Sequence, residues 1–235
     1  MRYVIYDMRV AAIVPAAGKG TRIKSTVEKP YININGKPIL AWTLLHLSRN
    51  SKIKEIIVAV NKRKMRRAQR DIIDRYKIRK ARLVAGGKER KDSVARALEK
   101  VSSDMDYVLI HDGIRPFVNS NLINACLKTA KRFKAAVAGV PVKPTLKIVK
   151  DDHRIHHTPD RKDFWEAQTP QVFKKELIKM AYRKAAEKGI DATDDSALVE
   201  ALGMRPKIVM GSYSNIKITT REDLQLAKIF KKELL

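Results

Sequence analysis

Val10-Ala-Ala-Ile-Val-Pro-Ala-Ala-Gly-Lys-Gly-Thr-Arg22 joins a short apolar run to a turn of small residues. The first five residues, closed by Pro15, read as a buried strand. In the turn that follows, small side chains let the backbone come close to a polyphosphate, and successive N–H groups can cradle its oxygens. The turn is neither a Walker loop, since Gly-Lys-Ser/Thr is missing at the required spacing, nor the three-glycine dinucleotide fingerprint. A plain strand-to-helix turn that happens to hold two glycines is the competing reading. Seven residues after Arg22 stands Lys29, in Glu28-Lys-Pro-Tyr31. Phosphoryl or nucleotidyl transfer needs such cations beside a glycine-rich loop, because charge builds on the non-bridging oxygens in the transition state.

Downstream, apolar runs and helical patterns alternate. Strands are expected over 10–14, 56–60, 82–84, 107–110 and 135–140. Between them, helices are expected from Pro38, over 67–76, along Val94, Ala97, Leu98 and Val101, and from about Ser120. Parallel strands need crossover connections, so this order predicts an α/β fold: a Rossmann-like, mostly parallel sheet with helices on both faces. Residues 141–163 break the pattern. They read as two strands around the acidic turn Asp151-Asp152, too short to hold a core, and so as a protruding β-arm on a single domain of residues 1–235. Helices over 174–188 and 194–202, strands over 207–210 and 216–219, and a closing helix capped at Thr220 complete the expectation.

Composition bounds the function. Ten glycines and nine prolines in 235 residues, with 44% hydrophobic residues, exclude a disordered or collagen-like chain. The run from Val10 to Ala17 is far shorter than the roughly 20 residues of a bilayer span. The N-terminus, with Asp7 inside its apolar stretch, does not read as a signal peptide, so the expected compartment is the cytoplasm. Cys126 is the single cysteine, which forbids an internal disulfide and any cysteine-based zinc site. Fifty Lys and Arg against 25 Asp and Glu give a net charge of +25. Fourteen of those cations fall between Lys62 and Lys91. A basic face suits nucleic acid, but it equally suits an enzyme that draws in small anions. The spread of lysines over several helices and the 6% aromatic content offer no base-stacking platform, which turns the reading away from nucleic acid.

Further residues carry chemistry in pattern. Gly86-Gly87 closes a strand and Ser93 opens a helix, a loop able to set amides and a hydroxyl against a base, or merely a capped turn. Asp112, before Gly113, follows a strand at its carboxyl end, where ligands bind in open parallel sheets. An acid there can bind a ribose hydroxyl, or Mg²⁺ through water; it can also be a turn aspartate. Arg115 either pairs with it or faces phosphate. His153, His156 and His157 have no cysteine and no acidic partner at fixed helical spacing, which argues against a metal site.

Taken in order, Pro15-Ala-Ala-Gly-Lys-Gly-Thr-Arg22 with Lys29, Gly86-Gly-Lys-Glu-Arg-Lys-Asp-Ser93, His111-Asp-Gly-Ile-Arg-Pro-Phe117, Asp160-Arg-Lys-Asp-Phe-Trp165, Thr193-Asp-Asp-Ser196 and Asn215-Ile-Lys-Ile-Thr219 resemble the 2-C-methyl-D-erythritol 4-phosphate cytidylyltransferases. The resemblance covers nearly the whole chain beyond Met8. It implies transfer of CMP from CTP to that polyol phosphate with Mg²⁺, in a homodimer joined through the arm. It also implies catalytic roles for Arg22, Lys29, Arg161 and Lys217. Pro15, Ala16, Ala17, Gly18, Gly20, Thr21, Gly86, Gly87, Ser93, Asp112 and Gly113 would hold the nucleotide. Asp112, Arg115, Thr145, Arg161, Thr169, Thr193 and Lys217 would meet the polyol phosphate, and Asp112 would approach the metal. Ribitol-5-phosphate cytidylyltransferases share the fold and the loop; Asp160-Arg161 with Phe164-Trp165, and Thr193-Asp194-Asp195, favour the methylerythritol enzymes. The chain departs from that family's pattern in two places: Glu28-Lys29-Pro30-Tyr31 stands where Pro-Lys-Gln-Tyr is common, and Pro144 precedes Thr145 where aspartate is usual.

Overall fold

The strand that opens the sheet, β1 (Val10–Pro15), is buried on both faces, which is why its sequence is continuously apolar rather than alternating. The computed structural model describes residues 8–18 and 28–230. After β1 come a 3-10 turn (Lys29–Tyr31), a small hairpin of β2 (Asn33–Ile34) and β3 (Lys37–Pro38), α1 (Ile39–Arg49) and β4 (Ile53–Val60). The chain continues through α2 (Met65–Ala68), β5 (Ala81–Ala85), α3 (Arg90–Leu98), β6 (Tyr107–Ile110), α4 (Ser120–Phe133) and β7 (Ala135–Pro141). Beyond the arm strands β8 (Ile148–Val149) and β9 (Ile155–His157) follow β10 (Trp165–Lys174), α5 (Lys175–Lys188), α6 (Asp195–Glu200), β11 (Lys207–Met210) and α7 (Arg221–Ile229).

Among the described residues the main sheet has the order β11-β7-β10-β6-β1-β4-β5. Its pairs are parallel except where β10 runs antiparallel between β6 and β7. Side chains alternate across it. Val10, Ala12 and Val14 join the core beneath α1 and α4, while Ala11 and Ile13 join the core beneath α3 and α5. Each fully buried Ile or Val of this kind contributes roughly 1.5–3 kcal/mol. Within the described residues no helix is long and apolar enough to cross a membrane.

Four expectations need correction. The strand β10 was not foreseen, because Pro170 and the polar run Gln168-Thr169-Gln171 argue against a central strand. The structure puts Pro170 inside a break in the register between Ala167 and Gln171, where no ladder donor is needed. Second, the helix expected over 67–76 begins earlier, with a 3-10 turn (Lys62–Lys64), and its later part is a π-helix (Gln69–Asp74) that buries Ile72 and Ile73. Third, 216–219 is no strand; Ile218 donates one backbone bond to Ile114 and packs into a small core with Trp42 and Phe117. Fourth, Ser93 does not open α3: Glu89 caps it, in a reciprocal box with Asp92. The arm holds its two strands, shorter than the apolar runs suggested, and all five of their residues are exposed. No cluster of metal-ligating side chains forms among the described residues, the three arm histidines included.

Two buried histidines give the fold an acid limit. Burial holds His46 at about 4, with Arg49 adding to the effect, and burial likewise holds His111 at about 4 against an ordinary 6.5. His111 donates from Nε2 to the Arg115 carbonyl (3.0 Å), so its bare Nδ1 accepts from the Thr169 hydroxyl (3.0 Å). The unfolded chain takes up these protons below pH 6.5 while the folded chain refuses them. Their contribution is therefore complete above about pH 6.5 and lost as pH falls toward 4, up to about 3 kcal/mol for each. Denaturant titrations between pH 7 and pH 4.5 should show the midpoint falling steadily. A flat profile would mean that these imidazoles are not held neutral.

Candidate active site

A cleft of about 250 Å³ opens at the carboxyl ends of β1 and β6. One wall is the turn after β1: Pro15, Ala16, Ala17 and Gly18. The opposite wall is the loop from Gly87 to Arg90, with Ser93 behind it. Lys29, Pro30, Asp112, Ile114, Lys217 and Thr219 complete the lining.

Glycine is demanded where the walls meet. A Cβ on Gly86 would lie 2.4 Å from that of Ala17 and 3.0 Å from Ser93 Oγ, and one on Gly87 would lie 2.1 Å from the Asp92 Cβ. Gly113 passes under the first turn, where a Cβ would be 3.1 Å from that of Ala16. The Ser93 hydroxyl is already engaged, accepting from the Gly87 amide and donating to the Glu89 carbonyl, both at 3.0 Å. It shapes the loop.

Asp112 is the electrostatic centre. It is 5% exposed, and three cations converge on it. Arg90 Nε lies 3.1 Å from Oδ1, while Lys217 Nζ and Arg115 Nε lie 3.0 and 3.4 Å from Oδ2. Burial by itself would raise its pKa, but Arg90, Lys217 and Arg115 outweigh that and hold the carboxyl well below the usual range. Its backbone N–H donates to Thr169 Oγ1 (3.1 Å), so Thr169 supports the floor from beneath. Lys29 is buried and donates to the Thr219 carbonyl (2.7 Å), which draws the loop at 28–31 against the segment bearing Lys217. Pro30 fits there because it occupies the first turn of the 3-10 helix, where its missing N–H is not needed.

The structure therefore gathers Pro15, Ala16, Ala17, Gly18, Lys29, Gly87, Ser93, Asp112 and Lys217 around one space, with Gly86 and Gly113 packed against its walls. Gly20, Thr21 and Arg22 lie outside the described residues. Arg115 is buried behind Asp112, its Nη1 donating to the Asn215 carbonyl (2.7 Å), and does not line the cleft. Thr145 and Arg161 are exposed at the arm's base, where Arg161 bonds the Lys143 carbonyl. Thr193 is exposed, and Asp194, not Thr193, caps α6. None of these three lines the cleft. Sequence reading missed Arg90, which stood inside a quoted motif but looked like one more surface cation among fourteen.

Among the described residues, Asp112 does not fit magnesium as a direct ligand, because both its carboxylate oxygens already face cations.

An α/β sheet that ends in a close-approach turn, ringed by cations with no unengaged nucleophile among the cleft's described hydroxyls, has the equipment of a nucleotidyltransferase. Known proteins narrow the class. Residues 10–233 match the family profile of IspD, 2-C-methyl-D-erythritol 4-phosphate cytidylyltransferase. Enzymes of that name from Caldanaerobacter subterraneus subsp. tengcongensis and Syntrophus aciditrophicus are 44% and 45% identical over 95% and 96% of this chain, and 99% and 97% of their own. The crystal structure of 4-diphosphocytidyl-2C-methyl-D-erythritol synthase from Anaerococcus prevotii superposes with a TM-score of 0.85, at 35% identity, covering 96% of this chain and 97% of that one. The Thermus thermophilus 2-C-methyl-D-erythritol 4-phosphate cytidylyltransferase gives 0.81 at 33%, over 96% and 100%. The chain belongs to the 2-C-methyl-D-erythritol 4-phosphate cytidylyltransferase family.

Proposed function

We infer that the chain performs the reaction its family is named for, transferring CMP from CTP to 2-C-methyl-D-erythritol 4-phosphate and releasing pyrophosphate on the way to isoprenoid precursors. What carries the reading is the coincidence of the family match with the cleft: the match spans residues 10–233, and within it the turn at 15–18, the loop from Gly87 to Ser93, Asp112 and Lys217 line one space. The substrate phosphate attacks the α-phosphorus of CTP in line. The turn at 15–18, with Gly20 and Thr21, takes the triphosphate, and the loop of Gly86, Gly87 and Ser93 takes the base. Asp112 and Gly113 meet the ribose. Arg22, Lys29 and Lys217 neutralise the charge that develops at the transferred phosphorus. Magnesium would enter with the triphosphate, as part of the co-substrate. The same reading puts the enzyme in the cytoplasm, where CTP is made.

Pyrophosphate release with a panel of nucleotides and polyol phosphates tests this. Turnover is expected with CTP and 2-C-methyl-D-erythritol 4-phosphate, and far less with ATP, GTP or UTP. Equal turnover with ribitol 5-phosphate, or with ATP, would overturn the substrate assignment. Gly86→Ala should raise KM for CTP about tenfold or more, because the loop must move to admit the methyl group and misplacement is costly. An unchanged KM would take the loop out of the nucleotide site.

The arm supplies the polyol-phosphate contacts Thr145 and Arg161 to a second copy of the chain, with Arg115, Thr169 and Thr193 shaping the receiving site. Ile148, Val149 and Ile155 are 43–60% exposed, and a hairpin of this size buries nothing by itself. A homodimer covers them. If Arg161 acts across the interface, Lys29→Ala chains mixed with Arg161→Ala chains form heterodimers with one doubly defective site and one intact site. Activity should reappear on mixing, once a tag pull-down shows that subunits exchange. Exchange without recovery would mean that the arm serves its own subunit.

A further inference from the structure

Behind the cleft runs a chain of ionic and hydrogen bonds whose far members, Tyr182, Asp195 and Arg90, have no part in the transfer mechanism above. Tyr182 on α5 donates from its hydroxyl to Asp195 Oδ1 at 2.5 Å. Asp195, the first residue of α6, accepts from Arg90 Nη2 at 2.7 Å on its other oxygen. Arg90 Nε then reaches Asp112, which holds Lys217. Asp195 is fully buried, and neither it nor Tyr182 lines the cleft. We propose that Asp195 and Tyr182 are positioning residues for nucleotidyl transfer, setting the Arg90 guanidinium and through it the Asp112 carboxylate and Lys217; this rests on the CMP-transfer reading.

The geometry is selective. A guanidinium offers several donors in a rigid plane, so one arginine can bridge two carboxylates on different elements, which a lysine point charge cannot do with fixed orientation. Burying such a chain is no efficient route to stability, because well-packed apolar side chains of similar volume do as well or better. What the chain supplies is direction. Asp112 is pulled on Oδ1 by Arg90 and on Oδ2 by Lys217 and Arg115, so its orientation depends on where Arg90 is anchored. Without Asp195, Arg90 is free to turn more of its donors onto Asp112, competing with Lys217 for the same carboxylate. The ammonium that faces the transferred phosphate then loses its fixed place.

Asp195→Asn, Tyr182→Phe and Asp112→Asn, assayed with CTP and 2-C-methyl-D-erythritol 4-phosphate well below each variant's melting temperature, separate positioning from simple tethering of α6. Asp195→Asn is expected to lower kcat on the order of tenfold, and Tyr182→Phe by about threefold, with KM for CTP moving less. Adding Asp195→Asn to Asp112→Asn should lower kcat little further, since what the relay orients is already gone. A tether alone would lower the melting temperature, leave kcat at the wild-type value, and combine additively. If Asp195→Asn does not fold, Tyr182→Phe decides, because it removes one hydroxyl and keeps the ring. Wild-type kcat in that folded variant would overturn the proposal. A wild-type enzyme that transfers no CMP at all would instead bring down the CMP-transfer reading, and the relay with it.

Discussion

Lys29→Ala is expected to lower kcat about a hundredfold or more while moving KM for CTP far less. The lysine is buried at the rim of the cleft, bonded to the Thr219 carbonyl, and so shares a rigid segment with Lys217. A cation fixed before the reaction begins costs no reorganisation as charge migrates onto the phosphoryl oxygens. Removing one such donor from a transition state typically costs about 2.7–4 kcal/mol. On the proposed reading backbone amides of the small-residue turn also hold the ground-state triphosphate, which should feel the loss less. Steady-state kinetics with varied CTP distinguish the cases. A rise in KM at constant kcat would make Lys29 a binding residue and not a stabiliser of the transition state.

Asp112→Asn should have the largest effect on the fold. Three cations converge on that carboxylate, of which Arg115 is itself buried and Arg90 half-buried. An amide leaves their charges uncompensated, and breaking a buried ion pair from one side costs about 3–5 kcal/mol. For a domain of this size that is a fall in melting temperature of roughly 10 °C. The carboxyl is held below the usual range, so its stabilisation is fully present above the ordinary value of 3.8 and is lost as pH falls through the lowered one. The acid loss between pH 6.5 and 4 is thus the histidines' contribution and should survive in Asp112→Asn. Calorimetry of the wild type and the variant at pH 7 and pH 5 reads both effects; a melting temperature within about two degrees of wild type at pH 7 would mean that the converging charges are solvated.

Local chemistry explains which parts of this molecule were legible in its sequence. Continuous apolar strands such as β1 and β4, buried on both faces, announce a parallel sheet, and Pro38 and Thr220 mark helix starts with residues suited to that place. The cleft's walls were legible because glycine and alanine are needed where backbones nearly touch. What stayed hidden depends on contacts distant in sequence. β10 is read as a loop until its partners are known, since its proline falls in a register break that only β7 defines. Arg90 looks solvated until Asp112 and Asp195, 22 and 105 residues away, are seen on either side of it. The sequence leaves Arg115 between pairing with Asp112 and facing phosphate; in the fold it pairs with Asp112 and donates to the Asn215 carbonyl.

At the centre of the account stands a direct displacement at phosphorus, in which the protein holds two polyanions and supplies charge but no covalent partner. Among the cleft's described hydroxyls, Ser93 is engaged by Gly87 and Glu89, and Thr219 donates to Asp223 (2.9 Å). The Asp112 carboxylate is held by three cations. The direct measurement is the stereochemical course with CTP carrying a single sulfur of known configuration on its α-phosphorus, read by phosphorus NMR of the cytidine diphosphate product. One in-line attack by the methylerythritol phosphate predicts inversion. Retention would require two displacements through a nucleotidylated side chain, and would contradict the account.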